Sequence, residues 1–109
     1  MKNIAIIPAR MAASRYPGKP MVEILGIPMI GHCYFRAKMS NLSDIVYVAT
    51  CDKIIYKYIK SIGGNVVMTS VLHERATERA AEGLLKVENE LNVKFQNIAM
   101  VQGDEPLVF

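Results

Sequence analysis

The chain has 109 residues, 51% of them hydrophobic and 21% charged, a balance that suits one modest soluble domain with a single core. No apolar run approaches the roughly 20 residues that cross a bilayer, the opening MKNIAIIPAR reads as a first strand and not a signal peptide, and Cys33 with Cys51 make no disulfide framework, so a cytoplasmic protein without a membrane partner is expected. The net charge of +3 comes without a long basic run or interleaved aromatics, so nucleic acid is not the expected partner.

Asn3 to Ile7 predicts a short buried strand. The stretch IIPARMAASRYPGKPM, from Ile6 to Met21, leaves it for a loop that holds Arg10, Arg15 and Lys19 with no carboxylate before Glu23. Pro28 to Ser40 has helical spacing, with Pro28 suited to the first turn and Ile30, Cys33, Tyr34 and Ala37 at i, i+3, i+4 and i+7. DIVYVAT, Asp44 to Thr50, is a β-branched and nearly continuous apolar strand. Asp52 can cap the next helix, whose apolar face is Ile55, Tyr58, Ile59 and Ile62, and Gly63-Gly64 ends it. Asn65 to Met68 predicts a third strand. Thr77 to Leu91 predicts a helix with Ala80, Leu84, Val87 and Leu91 on one side, and Asn97 to Val101 a fourth strand running into QGDEP.

Strands and helices in strict alternation predict a single α/β domain over 1–109: a mostly parallel sheet flanked by helices. Open sheets of this kind bind ligands beyond the carboxyl ends of their strands. Three loops leave those ends: Pro8 to Pro20, Thr69 to Thr77, and Gln102 to Pro106.

In the first loop, Arg offers phosphate a planar fork of donors and Lys a point charge, while Gly18, Ala12, Ala13 and Ser14 leave room for backbone amides to approach. The Walker spacing and the G-x-G-x-x-G fingerprint are both absent. A solvated basic connector is one reading; three prolines and three cations at a strand's carboxyl end favour an anion site. In the last loop, Asp104 and Glu105 follow a buried strand. A carboxylate there serves either as a first ligand for Mg²⁺ held against phosphates or as an ordinary turn residue. The middle loop, SVLHERATER, lacks the second His of a zinc helix, and Thr77 and Glu78 also suit a helix cap and first turn.

Read in order, IIPARMAASRYPGKPM, GIPMIGH, IVYVATCD, GGNVVMTS, HERATERAAE and VQGDEPL resemble the cytidylyltransferases that activate 3-deoxy-manno-octulosonate, the CMP-KDO synthetases, over essentially the whole chain. The resemblance implies a nucleotide-binding domain of the nucleotide-diphospho-sugar transferase type. It also implies that the anomeric hydroxyl of an acidic sugar attacks the α-phosphate of CTP with Mg²⁺ assistance and pyrophosphate release, for lipopolysaccharide or capsule precursors. On it, Arg10, Ser14 and Lys19 hold the triphosphate with Arg15 in the same motif. Pro8, Ala9 and Arg10 line the cytosine pocket largely through backbone groups. Gln102 lies near the substrates, and Asp104 is the metal-binding aspartate, so that Arg10, Lys19 and Asp104 form the catalytic set. Thr77, Glu78 and Arg79 match the family's middle loop, and Thr77 and Arg79 are carried over as nucleotide-binding.

Two positions depart from the pattern. Cys51 stands where the family has an acidic residue, and Arg75-Ala76 replace Ser-Gly, which removes access to positive φ and predicts another path for the loop. Both bear on the nucleotide or sugar more than on the fold, and they leave open the activation of another acidic or amino sugar. Family members also run on for about as much chain again. The resemblance therefore places the second metal aspartate, most of the sugar site and the usual homodimer contact beyond these 109 residues, and leaves open a nucleotide-binding fragment without activity by itself.

Overall fold

The computed structural model describes residues 2–12, 18–40 and 43–101. In chain order its elements are β1 (Asn3–Ala9), a 3-10 turn (Lys19–Met21), β2 (Glu23–Ile24), β3 (Ile27–Pro28), α1 (Met29–Met39), β4 (Ile45–Thr50), α2 (Lys53–Ser61), β5 (Val66–Met68), α3 (Ala76–Leu91) and β6 (Asn97–Met100).

β1 is buried at every position after Asn3. A strand with no polar side needs cover on both faces, which a parallel sheet between helix layers supplies. β1 pairs in parallel with β4, from Ile4 opposite Ile45 to Ala9 opposite Thr50, and with β6, from Asn3 opposite Asn97 to Ile6 opposite Met100. β5 joins β4 from Val66 opposite Val48 to Met68 opposite Thr50, so the order is β5-β4-β1-β6.

Successive side chains of a strand go to opposite faces. Ala5, Ile7, Ala9, Val46 and Val48 meet Ile30, Tyr34 and Ala37 of α1 and Ile55 and Ile59 of α2 on one face. Ile4, Ile6, Tyr47, Ala49 and Val67 meet Ala80 and Val87 of α3 on the other, with Phe95 closing that layer. The expected sheet flanked by helices is therefore the observed fold. Among the described residues no helix is long and apolar enough to cross a membrane.

Several boundaries differ from the sequence reading. β1 continues through Pro8 and Ala9, and α3 begins at Ala76 with Arg75 at its N-cap, so Thr77 lies inside the first turn and is not the cap. Pro28 likewise precedes α1 and belongs to β3. The hairpin of β2 and β3 is an addition: Glu23 pairs with Pro28 and Ile24 with Ile27. Its two turn residues, Leu25 (φ 54°) and Gly26 (φ 82°), are both left-handed, as a tight two-residue hairpin requires. The His32 ring, 2.7 Å from the Ile24 carbonyl, ties the hairpin back to α1.

Candidate functional site

All four strands of the main sheet run the same way, so their carboxyl ends share one edge. From β1 the chain moves to β4 and β5 on one side, then returns to β6 on the other. The order thus reverses between β1 and β6, where such sheets open a crevice for ligands. Pro8 lies on this side of β1. The Ile6 carbonyl accepts the Val101 N–H at 2.9 Å, so Ile6 bonds toward β6. Two residues on, Pro8 faces the same side and has no N–H to give. Among the described residues the ladder to β6 runs to Ile6 opposite Met100, and the ladder to β4 runs to Ala9 opposite Thr50.

The first loop leaves at this point and is closed at its base. Gly18, with φ +80°, donates its N–H to the Met11 carbonyl at 2.6 Å. That bond brings the residues flanking it, Arg10 and Lys19, to one neck. The Met11 N–H donates in turn to Asp52 Oδ2 at 2.7 Å. Asp52 occupies the N-cap position of α2, yet its side chain makes no cap bond; the expected cap is instead a strut between the ends of β4 and β1. The Asp52 N–H donates to the Thr50 hydroxyl at 3.1 Å, which fixes the strut from below. Lys19 opens the 3-10 turn, half-buried, with buried Pro20 behind it. Among the described residues it makes no ion pair.

The β5–α3 loop forms the adjacent wall. Arg79, only 2% exposed, donates through Nε to the Thr69 hydroxyl at 3.2 Å and through Nη2 to the Ser70 and His73 carbonyls at 3.2 and 3.4 Å. A buried guanidinium needs its donors satisfied, and here the loop's own carbonyls satisfy them. The same Nη2 lies 3.7 Å from Cys51 Sγ, which is 3.8 Å from Asp52 Oδ2. Cys51 thus lies between the Arg79 guanidinium and the Asp52 strut. Ala76 is the first helical residue, and Leu25 and Asn92 are the non-glycine residues with positive φ among those described, so the loop turns without the conformation that a Gly would supply. Thr77 is exposed at the start of α3, while the neighbouring Glu78 carboxylate accepts the Arg75 N–H at 3.1 Å.

Glu82 was not singled out from sequence. Its Oε1 accepts the Ser70 N–H at 2.9 Å and lies 2.6 Å from His73 Nε2, and its Oε2 is 3.0 Å from Lys86 Nζ. The Ser70 N–H foremost, and then Lys86 and His73 against the opposing effect of burial, hold its carboxyl down at about 2. The available sequence signal was the i, i+4 pairing with Lys86; nothing in the spacing pointed to His73 or Ser70. Arg10 joins this wall, its Nη1 lying 3.5 Å from the His73 carbonyl.

The structure thus brings Pro8, Ala9, Arg10 and Lys19 to one sheet edge and places Arg79 beneath the neighbouring loop. Ser14, Arg15, Gln102 and Asp104 lie outside the described residues. Among the described residues no three His, Cys, Asp or Glu side chains gather round a common point where a metal would sit. A magnesium ion that arrives with a triphosphate needs only one or two carboxylates beside the phosphate oxygens.

The family model described as cytidylyltransferase matches residues 4–109. The 3-deoxy-manno-octulosonate cytidylyltransferase of Geobacter metallireducens is 44% identical over 99% of this chain and 40% of its own length. The enzyme of the same name from Saccharophagus degradans is 46% identical over 99% of this chain and 41% of its own. A solved CMP:2-keto-3-deoxy-manno-octonic acid synthetase in complex with CTP superposes with a TM-score of 0.84 at 38% identity, covering 99% of this chain and 42% of that one. The chain therefore spans about two-fifths of the length of these relatives.

Proposed function

The chain belongs to the cytidylyltransferase family, and from that premise we propose that its protein transfers CMP from CTP to an acidic sugar, 3-deoxy-manno-octulosonate, with release of pyrophosphate. The observation that carries the reading is the cationic neck at the β1 carboxyl end. Arg10 and Lys19 flank the Met11–Gly18 bond at the β1 end of the sheet, where the strand order reverses. In the reaction the sugar's anomeric oxygen forms a bond to the α-phosphorus, and the anhydride bond from that phosphorus breaks. Pyrophosphate leaves with the bonding pair, and the hydroxyl proton is lost to solvent.

Such a transfer asks the protein chiefly for positioning and for charge set against the phosphates. Arg10 offers several N–H donors and Lys19 a compact charge, while the backbone of Pro8 and Ala9 borders the space for the base. Asp104, just past β6, is the residue that would hold Mg²⁺. When bound, that ion would supply positive charge to offset the charge on the phosphates and on the leaving group.

Calorimetric titration with CTP, with and without Mg²⁺, tests the reading. Lys19→Ala is expected to lose about 1.5–3 kcal/mol of CTP binding, the range for a hydrogen bond to a charged group, with the melting temperature kept. Asp104→Asn should flatten the Mg²⁺ dependence. Unchanged affinity in the lysine variant would return the loop to a solvated connector.

A further inference from the structure

We propose that Glu82 is a positioning residue for nucleotide binding, acting through the β5–α3 loop on the placement of Arg10. The inference rests on the nucleotide site proposed above and adds a residue that touches neither phosphate nor base.

The loop's polar groups divide between two side chains of α3. Arg79 and Glu82 stand three positions apart, on one side of the helix. Arg79 can only donate and takes the carbonyls of Ser70 and His73; Glu82, ionised, can only accept and takes the Ser70 N–H and the His73 ring. Residues 70 and 73 are thereby each held at two points, one by a cation and one by an anion. Lys86 locks the carboxylate from the other side and donates to the Met68 carbonyl at 2.7 Å, fixing it to the end of β5.

The outcome is a fixed His73 carbonyl, and that carbonyl is the described contact of Arg10 with the wall, at 3.5 Å. Through this contact the loop limits beforehand the rotamer freedom of a long side chain that would otherwise be lost on binding phosphate, while its remaining N–H groups make no other hydrogen bond among the described residues. Limiting one such side chain beforehand is worth about 0.5–1.5 kcal/mol, or about 2- to 12-fold in affinity. The carboxylate's ionisation at any physiological pH agrees with a permanent clamp.

A double-mutant cycle decides the matter. Glu82→Ala should weaken CTP binding about 2- to 12-fold with Arg10 present, and should add almost nothing in an Arg10→Ala background. Equal losses in both backgrounds would make Glu82 merely structural and overturn the proposal. Glu82→Gln, which keeps an acceptor for the Ser70 N–H, is run through the same cycle and decides should the alanine variant melt below the assay temperature. Its loss should be smaller and equally dependent on Arg10, and a loss independent of Arg10 would overturn the proposal. If Arg10→Ala and Lys19→Ala both leave CTP affinity unchanged, it is the nucleotide site itself that fails, an outcome distinct from additivity.

Discussion

Asp52 precedes α2 at the position where a capping carboxylate is expected, but the nearer demand comes from another loop. The Met11 N–H sits part-buried at the neck of the cationic loop and finds its acceptor in Asp52 at 2.7 Å. Losing a hydrogen bond to a charged acceptor costs about 1.5–3 kcal/mol, whereas the start of α2 has no side-chain cap bond to lose. Asp52→Ala should therefore destabilise the protein by about that amount in urea unfolding, and the Met11 amide should exchange faster than the first amides of α2. Asp52→Asn retains an oxygen for the same N–H and should lose less. Greater loosening of α2 than of Met11 would show that Asp52 is a cap after all. Sequence alone identifies a carboxylate before a helix; choosing between two acceptorless N–H groups needs the distance between the ends of β1 and β4.

Gly83 shows the same dependence on context for a whole helix. A mid-helix glycine costs about 1 kcal/mol relative to alanine, so α3 gives up local stability there. In return it approaches β4 closely: a Cβ at Gly83 would stand 2.9 Å from the Ala49 Cβ and 3.5 Å from Val67 Cγ1. Ala49 lies in the sheet and cannot swing aside, so Gly83→Ala would push α3 outward, and overpacking of this kind costs about 1–3 kcal/mol. The net expectation is a destabilisation of up to about 2 kcal/mol, read from thermal or denaturant unfolding; a stabilised variant would show that the helix shifts freely over the sheet. The long elements were legible because 3.6-residue and continuous apolar patterns persist for several turns or pairs, as at Ala80, Leu84, Val87 and Leu91. The β2–β3 hairpin was not, because strands of two residues have no period and Leu25 is an unusual choice for positive φ. The work of Arg79 and Glu82 was hidden for a related reason. Their partners Thr69, Ser70, His73 and Cys51 lie 6 to 28 positions away, and only the parallel ladder of β4 and β5 brings them together.

Across the whole molecule the two faces of the sheet differ in charge. α1 and α2 cover one face and contain Arg36, Lys38, Lys53, Lys57 and Lys60 with no Asp or Glu within their bounds. α3 covers the other and carries Glu78, Glu82, Glu88 and Glu90 against Arg79 and Lys86. The +3 net charge is therefore concentrated partly on one helical face, and any polyanion held there would be held by charge alone. The two modes separate by salt. Each phosphate neutralised on duplex DNA contributes a slope of about −0.9 in log affinity against log salt, so even three contacts lose about 40-fold between about 50 and 200 mM. On the proposed function, CTP at the sheet edge should lose much less and should be preferred over UTP, since the base would be held by backbone groups whose contacts do not depend on ionic strength. Replacing Lys57 and Lys60 together by Gln should weaken DNA binding further while leaving CTP titrations unchanged, because both residues lie along α2 beyond its first turn. If the paired substitution weakened CTP binding as well, or if DNA displaced CTP in proportion to its own binding, the basic helix face and the nucleotide site would be one surface, and the β1 loop would no longer be the place to look for the triphosphate.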